Sequence, residues 1–421
     1  MFKKTQLSNG LRIITIPQRG TRAVTVLVLV ATGSKYETKE ISGISHFLEH
    51  VFFKGTKKRP NTLAIAETLD RVGGMYNAFT SKEFTGYWAK VDAKHFDLAL
   101  DWVSDILLNS KFEKKELERE KKVVIEEMNM YLDTPMSYIG DLWEKLLYGD
   151  QPAGWMTIGE KATIAKLQRK QVLDYLKNHY VTKNIIVCVA GNLEGKSAER
   201  KIKKYFRDIK VGKPKPKLKV REKQNLPQSL LHYKKTDQTH FCLGVRAYSL
   251  FHPLKYAQTV LSTILGGNMS SRLFISVRER AGLAYYIRTS AENATDTGYL
   301  VTQAGVDNQN VEKAINLILK EYKNLKNKNI KAAELQKAKD YLKGNLILSL
   351  ESSDAKANFY AGQELLEGKI LMLKEKLKKI DEVTEKQIKN VAREIFQPQK
   401  LNLTLIGPFK NKSKFQKLLK I

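Results

Sequence analysis

Cysteine is nearly missing from this 421-residue chain, which carries two: Cys188 in the apolar run IIVCVAG and Cys242 in HFCLGV. Both read as buried strand residues, and a pair this sparse is no disulfide framework. Proline is scarce as well, yet three of the ten fall together at Pro214, Pro216 and Pro227. Long apolar runs are absent. AVTVLVLVA, from Ala23, is too short for a bilayer and is rich in β-branched residues, so a buried strand is expected and no membrane span. No signal-peptide pattern opens the chain: MFKKTQLSNGLRIITIPQ enters a hairpin at the Asn9-Gly10 turn, and a cytoplasmic location is the expectation. Low-complexity tracts are absent too, and with 42% hydrophobic residues the composition is that of a folded protein.

Acidic residues are outnumbered, 44 against 73 Lys and Arg, giving a formal charge of +29. The basic residues run along the whole chain without an aromatic-interleaved motif. They read as solvated surface lysines, and no specific nucleic-acid partner is expected.

Two segments align without a gap at an offset of 216 residues, IAKLQRKQVLDYLKNHYVTKNIIVCVAGNL from Ile164 and IDEVTEKQIKNVAREIFQPQKLNLTLIGPF from Ile380. Ile164/Ile380, Leu167/Val383 and Val172/Ile388 match at helical spacing, followed by Tyr180/Phe396 and a β-branched run that ends in Gly191/Gly407. Shared order of helix, strand and glycine turn implies duplication. The proline-bearing stretch between the copies reads as an extended linker. Strands such as YLVTQAGVD, from Tyr299, alternate with long helical stretches such as Phe112 to Leu147. The expected fold class is α+β: two tandem duplicated domains, 1–212 and 228–421 joined by a linker at 213–227, each a mainly antiparallel sheet backed by helices.

The segment GISHFLEHVFFKG carries His46, Glu49 and His50 in a helical pattern, with Ser42 or Ser45 near its start and Gly55 as the expected C-cap. At about 100° per residue the three share one arc, while Phe47, Leu48, Val51 and Phe52 are free to pack elsewhere. Two imidazoles one turn apart can reach one zinc ion, and the carboxylate between them falls beside the metal's water. This is the H-x-x-E-H order of inverted zincins. It needs a third ligand. The later segment EREKKVVIEEMNMYLDTP offers carboxylates: Glu120, Val124, Glu127 and Tyr131 share a helical stripe, and Glu126 points off it. An exposed acidic helix face is the competing reading.

With these motifs the chain resembles the pitrilysin and insulinase family, most closely its short two-domain branch with the mitochondrial processing peptidase and bacterial homologues. The likeness spans nearly the whole chain. HFLEHVFFKGT resembles the metal helix and EKKVVIEE the segment that supplies the third ligand, seven residues after another acidic residue. The resemblance implies that His46, His50 and Glu127 bind one zinc, that Glu49 is the base and that Glu120 supports the site, with Glu126 as the fallback ligand. NAFTSKEFTGYWAKV, from Asn77, is similar to the family's substrate-pairing strand and implicates Asn77 and Ala78. LGGNMSSRLFISVRERAGLAYYI, from Leu265, is similar to the second domain's signature, whose substrate-facing arginine and tyrosine fall on Arg278 and Tyr285.

The implied function is a zinc endopeptidase acting on peptides or unfolded segments in a closed chamber, which in a two-domain branch requires a homodimer or a heterodimer with a homologous subunit. A noncatalytic scaffold subunit of the same family is the alternative. At the offset of 216, His46, Glu49 and His50 land on Ser262, Leu265 and Gly266; at 218, Glu127 lands on Asn345. Neither register restores ligands, so one metal site per chain is expected, with the second copy a substrate wall.

Overall fold

A computed structural model describes residues 2–421. The Asn9-Gly10 turn closes β1 (Lys3–Gln6) onto β2 (Arg12–Pro17). The Asn9 side chain accepts from the Leu11 amide at 3.0 Å, and Gly10 takes φ 91°. The apolar run forms β3 (Ala23–Val30), paired on both edges and buried from Val24 onward beneath helices that pack on its faces. With β4 (Met75–Thr80), β5 (Thr85–Asp92) and β6 (Ile185–Gly191) it completes a six-stranded sheet in the order β1-β2-β6-β3-β5-β4. A second sheet holds β7 (Gln228–Tyr233), β8 (Gln238–Arg246), β9 (Ala284–Asn293), β10 (Gly298–Asp307) and β11 (Leu401–Gly407), in the order β7-β11-β8-β10-β9.

Setting β1 aside, β2 to β6 and β7 to β11 have the same order. Each sheet has a single parallel pair, β2/β6 and β7/β11, with every other neighbour antiparallel. The duplication is therefore legible in topology. The aligned apolar positions Ile164, Leu167, Val172 and Tyr180 and their counterparts Ile380, Val383, Ile388 and Phe396 are all buried. Both copies of the helix open on a capping box, Gln168 with Gln171 and Thr384 with Gln387.

Helix α1 (Ile44–Val51) precedes β4, and α2 (Lys114–Leu132) follows the helix Phe96–Asn109. The helical stretch expected from Phe112 to Leu147 is broken. Pro135 occupies the first turn of α3 (Pro135–Tyr148), where its missing N–H costs nothing, but it cannot continue α2. Both cysteines lie buried in strands as free thiols.

The compact units follow packing rather than chain order. One comprises Met1–Asn129, Trp155–Leu218 and Leu348–Ile370; the other comprises Met130–Gly154, Lys219–Ile347 and Leu371–Ile421. Boundaries at 212 and 228 thus miss an exchange of helices. Helix α4 (Ser353–Glu367), from the second copy, covers β2, β3 and β6 of the first sheet. It is fixed there by Ser353 to Thr25 at 2.7 Å, Asp354 to Lys90 at 2.8 Å and Glu364 to Lys4 at 2.9 Å. Helix α3, from the first copy, buries Ile139, Leu142 and Trp143 with Cys242, Val301 and Ile406 of the second sheet. The two helices begin 218 residues apart, so each is the duplicate of the other. Each sheet is apolar on both faces, and the exchanged helix supplies the missing cover. Residues 210–227 form neither helix nor strand, as an extended linker should. Among the described residues no helix is long and apolar enough to cross a membrane.

Candidate metal centre

Helix α1 is fixed by a residue outside it. Neither Ser42 nor Ser45 is its N-cap; Gly43 is, at φ 92°, where a Cβ would lie 2.6 Å from the Ile158 carbonyl oxygen. The cap bonds go to Glu37, whose Oε2 accepts from the Gly43 amide at 2.7 Å and Oε1 from the Ser45 amide at 2.8 Å. Burial pushes the Glu37 carboxyl up to about 7, against the pull of those bonds. Phe47, Leu48, Val51 and Phe52 are buried, which leaves His46, Glu49 and His50 on the other arc. The helix ends at Val51, with Phe52 as its C-cap. Gly55 lies beyond it and turns the chain at φ 129°, where a Cβ would meet the Pro60 carbonyl oxygen at 2.5 Å.

On α2, Val124 is buried beneath the stripe that bears Glu120 and Glu127. The His46 and His50 rings stand 4.7 Å apart. Glu127 meets both of them, Oε1 at 3.8 Å from His46 Nε2 and Oε2 at 3.3 Å from His50 Nε2. Behind the pair, His50 Nδ1 lies 3.0 Å from Glu120 Oε1, and Lys54 Nζ lies 2.7 Å from Glu120 Oε2. Glu49 stands next to His50 in the helix, and its Oε2 accepts from the Thr80 hydroxyl at 2.6 Å. Glu126 is exposed, outside this group, and accepts from Asn129 at 3.2 Å.

Charge follows this geometry. Burial and the neighbouring His50 lower His46 to about 4, leaving a neutral imidazole. Burial alone would lower His50 too, but its bonds to Glu120 and Glu127 raise it to about 9. Burial raises Glu49, with the Thr80 bond pulling the other way.

The donor set fits a zinc ion. One nitrogen from each imidazole and one Glu127 oxygen all lie within 4.8 Å of one another, and among the described residues no other group of three His, Cys, Asp or Glu side chains does this. Glu127 Oε2 is buried, and the His50 Nε2 that lies 3.3 Å away is not well aligned with it. Two imidazole nitrogens and one carboxylate oxygen make the three-ligand set typical of catalytic zinc.

Residues 12–159 match the family described as Insulinase (Peptidase family M16), and residues 166–342 match the Peptidase M16 inactive domain. Over 412 residues the chain is 37% identical to an uncharacterized zinc protease of Bacillus subtilis, covering 98% of this chain and 99% of the relative. The chain belongs to peptidase family M16. A second M16 relative, an uncharacterized zinc protease of Mycobacterium leprae, is 33% identical over 421 residues, covering 99% of this chain and 94% of its own. A solved structure of a protease from Helicobacter pylori superposes with a TM-score of 0.90 at 25% identity, covering 97% of this chain and 99% of that one.

Asn77 and Ala78 lie on β4, which ends the first sheet and, among the described residues, pairs only with β5. Asn77 is exposed, and its Oδ1 accepts from the Ala78 amide at 2.8 Å. Arg278 and Tyr285 belong to the other compact unit. Arg278 sits in a π-helical turn, Phe274–Glu279, and its guanidinium lies 4.7 Å from the Phe274 ring and 5.8 Å from that of Tyr285. Tyr285 is 78% exposed, free to meet a ligand.

Three contributors are not found by reading the sequence. Thr80 has the best signal, since it alternates with Ala78 on one face of β4. Lys54 follows His50 by four residues, but a lysine past a helix end usually reads as solvated. Glu37 lies six residues before the cap it fills, beyond the reach of a local capping pattern.

Proposed function

We propose that this M16 chain is a zinc-dependent endopeptidase hydrolysing peptides or unfolded polypeptide segments. The observation that carries it is the convergence of His46, His50 and Glu127 with Glu49 alongside. A zinc ion held by those three side chains would polarise a peptide carbonyl and lower the pKa of water towards about 7. Glu49 takes the proton of the attacking water and passes it to the leaving amine. Its burial raises its proton affinity, which suits a shuttle that must hold the proton briefly, and Thr80 aims the carboxylate. Tyr285 donates to the oxyanion that develops, and Arg278 holds a substrate carbonyl nearby. The free edge of β4, with Asn77 and Ala78, pairs with an extended substrate backbone.

The family resemblance supports a closed chamber built by two copies, with Arg278 and Tyr285 contributed across a homodimer. Cleavage of a peptide library should stop with a chelator and return with zinc. Glu49→Gln should keep its zinc while kcat falls on the order of 100-fold to 10,000-fold. Zinc without turnover in both native protein and variant would instead support the scaffold reading.

A further inference from the structure

We infer that Lys54 is a positioning residue for the metal ligand His50, acting through Glu120; this rests on reading His46, His50 and Glu127 as zinc ligands. Glu120 is 2% exposed, and its two oxygens have different partners. Oε1 faces His50 Nδ1 at 3.0 Å, and Oε2 faces Lys54 Nζ at 2.7 Å. Both partners come from one stretch of chain. Past α1, the Phe53 amide bonds the His50 carbonyl and the Lys54 amide bonds the Val51 carbonyl, and the lysine reaches the same carboxylate as the imidazole.

A carboxylate held at one oxygen can still rotate about its terminal bond. Held at both, its plane is fixed, and with it the direction from which Oε1 meets the ring. The imidazole is rigid, so an Nδ1–H donated to Glu120 leaves the lone pair on Nε2, the atom that lies 3.3 Å from Glu127. His46 has no such support: its Nδ1 is buried without a hydrogen-bond partner. The Lys54–Glu120–His50 chain is thus the only rear brace that the two imidazoles have among the described residues, and zinc affinity should be sensitive to it.

Simple Coulomb attraction predicts the opposite sign, since removing a cation near a dication favours binding. Zinc affinity, measured by chelator competition on the full chain, separates the two. Lys54→Met should weaken zinc about 10-fold, at the low end of what outer partners of a ligand contribute. Lys54→Arg should retain native affinity. In a Glu120→Gln background Lys54→Met should add nothing, because the lysine acts through that carboxylate. The zinc-free thermal midpoint should fall, because Lys54→Met leaves a buried carboxylate without its cation, so zinc affinity is measured well below that midpoint.

Unchanged or tighter binding in Lys54→Met would overturn the inference. So would an equal loss in the Glu120→Gln background, which would mark a general structural role. Native protein that takes up no zinc would sink the reading of the ligands themselves, a result distinguishable from all of these.

Discussion

The two copies of the duplicated unit share a strand order and differ at one pair of helices. In the first copy, α1 and α2 present two imidazoles and a carboxylate to one another. In the second, the helix Lys255–Gly266 carries Ser262, Leu265 and Gly266 at the aligned positions. Ser262 and Leu265 are buried, and a Cβ on Gly266 would lie 2.4 Å from Thr289 Oγ1 on β9. Asn345, aligned with Glu127 at the other register, is exposed and bonds the Tyr341 carbonyl of its own helix. Where the first copy turns two imidazoles and a carboxylate towards one another, the second buries a serine and a leucine and sets a glycine against its sheet. The fold supplies a helix beside an edge strand twice, and among the described residues only the first gathers a candidate set of metal ligands.

The largest way to break this comparison is to separate the copies. Residues 1–212 alone lack α4 and leave the apolar faces of β2, β3 and β6 without cover. That fragment should show no cooperative thermal transition by circular dichroism, and a fragment that melts sharply would mean the exchanged helix is dispensable. Next in size is Tyr285→Phe in the copy without ligands. If the second copy serves the chemistry of the first, kcat should fall on the order of 100-fold to 1000-fold with zinc content unchanged, and unaltered kcat would reduce that copy to a wall. A smaller effect sharpens the packing difference. Gly266→Ala, forced against Thr289, should cost about 1–3 kcal/mol in denaturant unfolding.

Much of this arrangement was legible in the sequence, because helical spacing alone puts His46, Glu49 and His50 on one arc and separates Glu127 from Glu126. The β-branched runs and the Asn9-Gly10 turn likewise foretell β3, β6 and the opening hairpin. The helix exchange was not legible. An amphipathic pattern says that a helix has an apolar face but not which sheet it covers, so α3 and α4 were assigned to their own halves by chain order. Glu37 and Lys54 stayed hidden for a related reason. Each acts on α1 from outside its regular turns, and a buried carboxylate or a braced lysine reads in sequence like any solvated charge.

The most direct test of the metal centre is a calorimetric titration of zinc into chelator-stripped protein at pH 7, in buffers of different ionisation enthalpy. His50, held near 9 by its carboxylate partners, carries a proton at that pH, whereas His46, lowered to about 4, does not. Zinc needs the free nitrogen lone pair, so uptake should expel about one proton and weaken as the pH falls. The account predicts one zinc per chain in the native protein and in Glu126→Ala, and none bound tightly in Glu127→Ala. Native protein without saturable uptake, or Glu127→Ala binding as tightly as native, would contradict it.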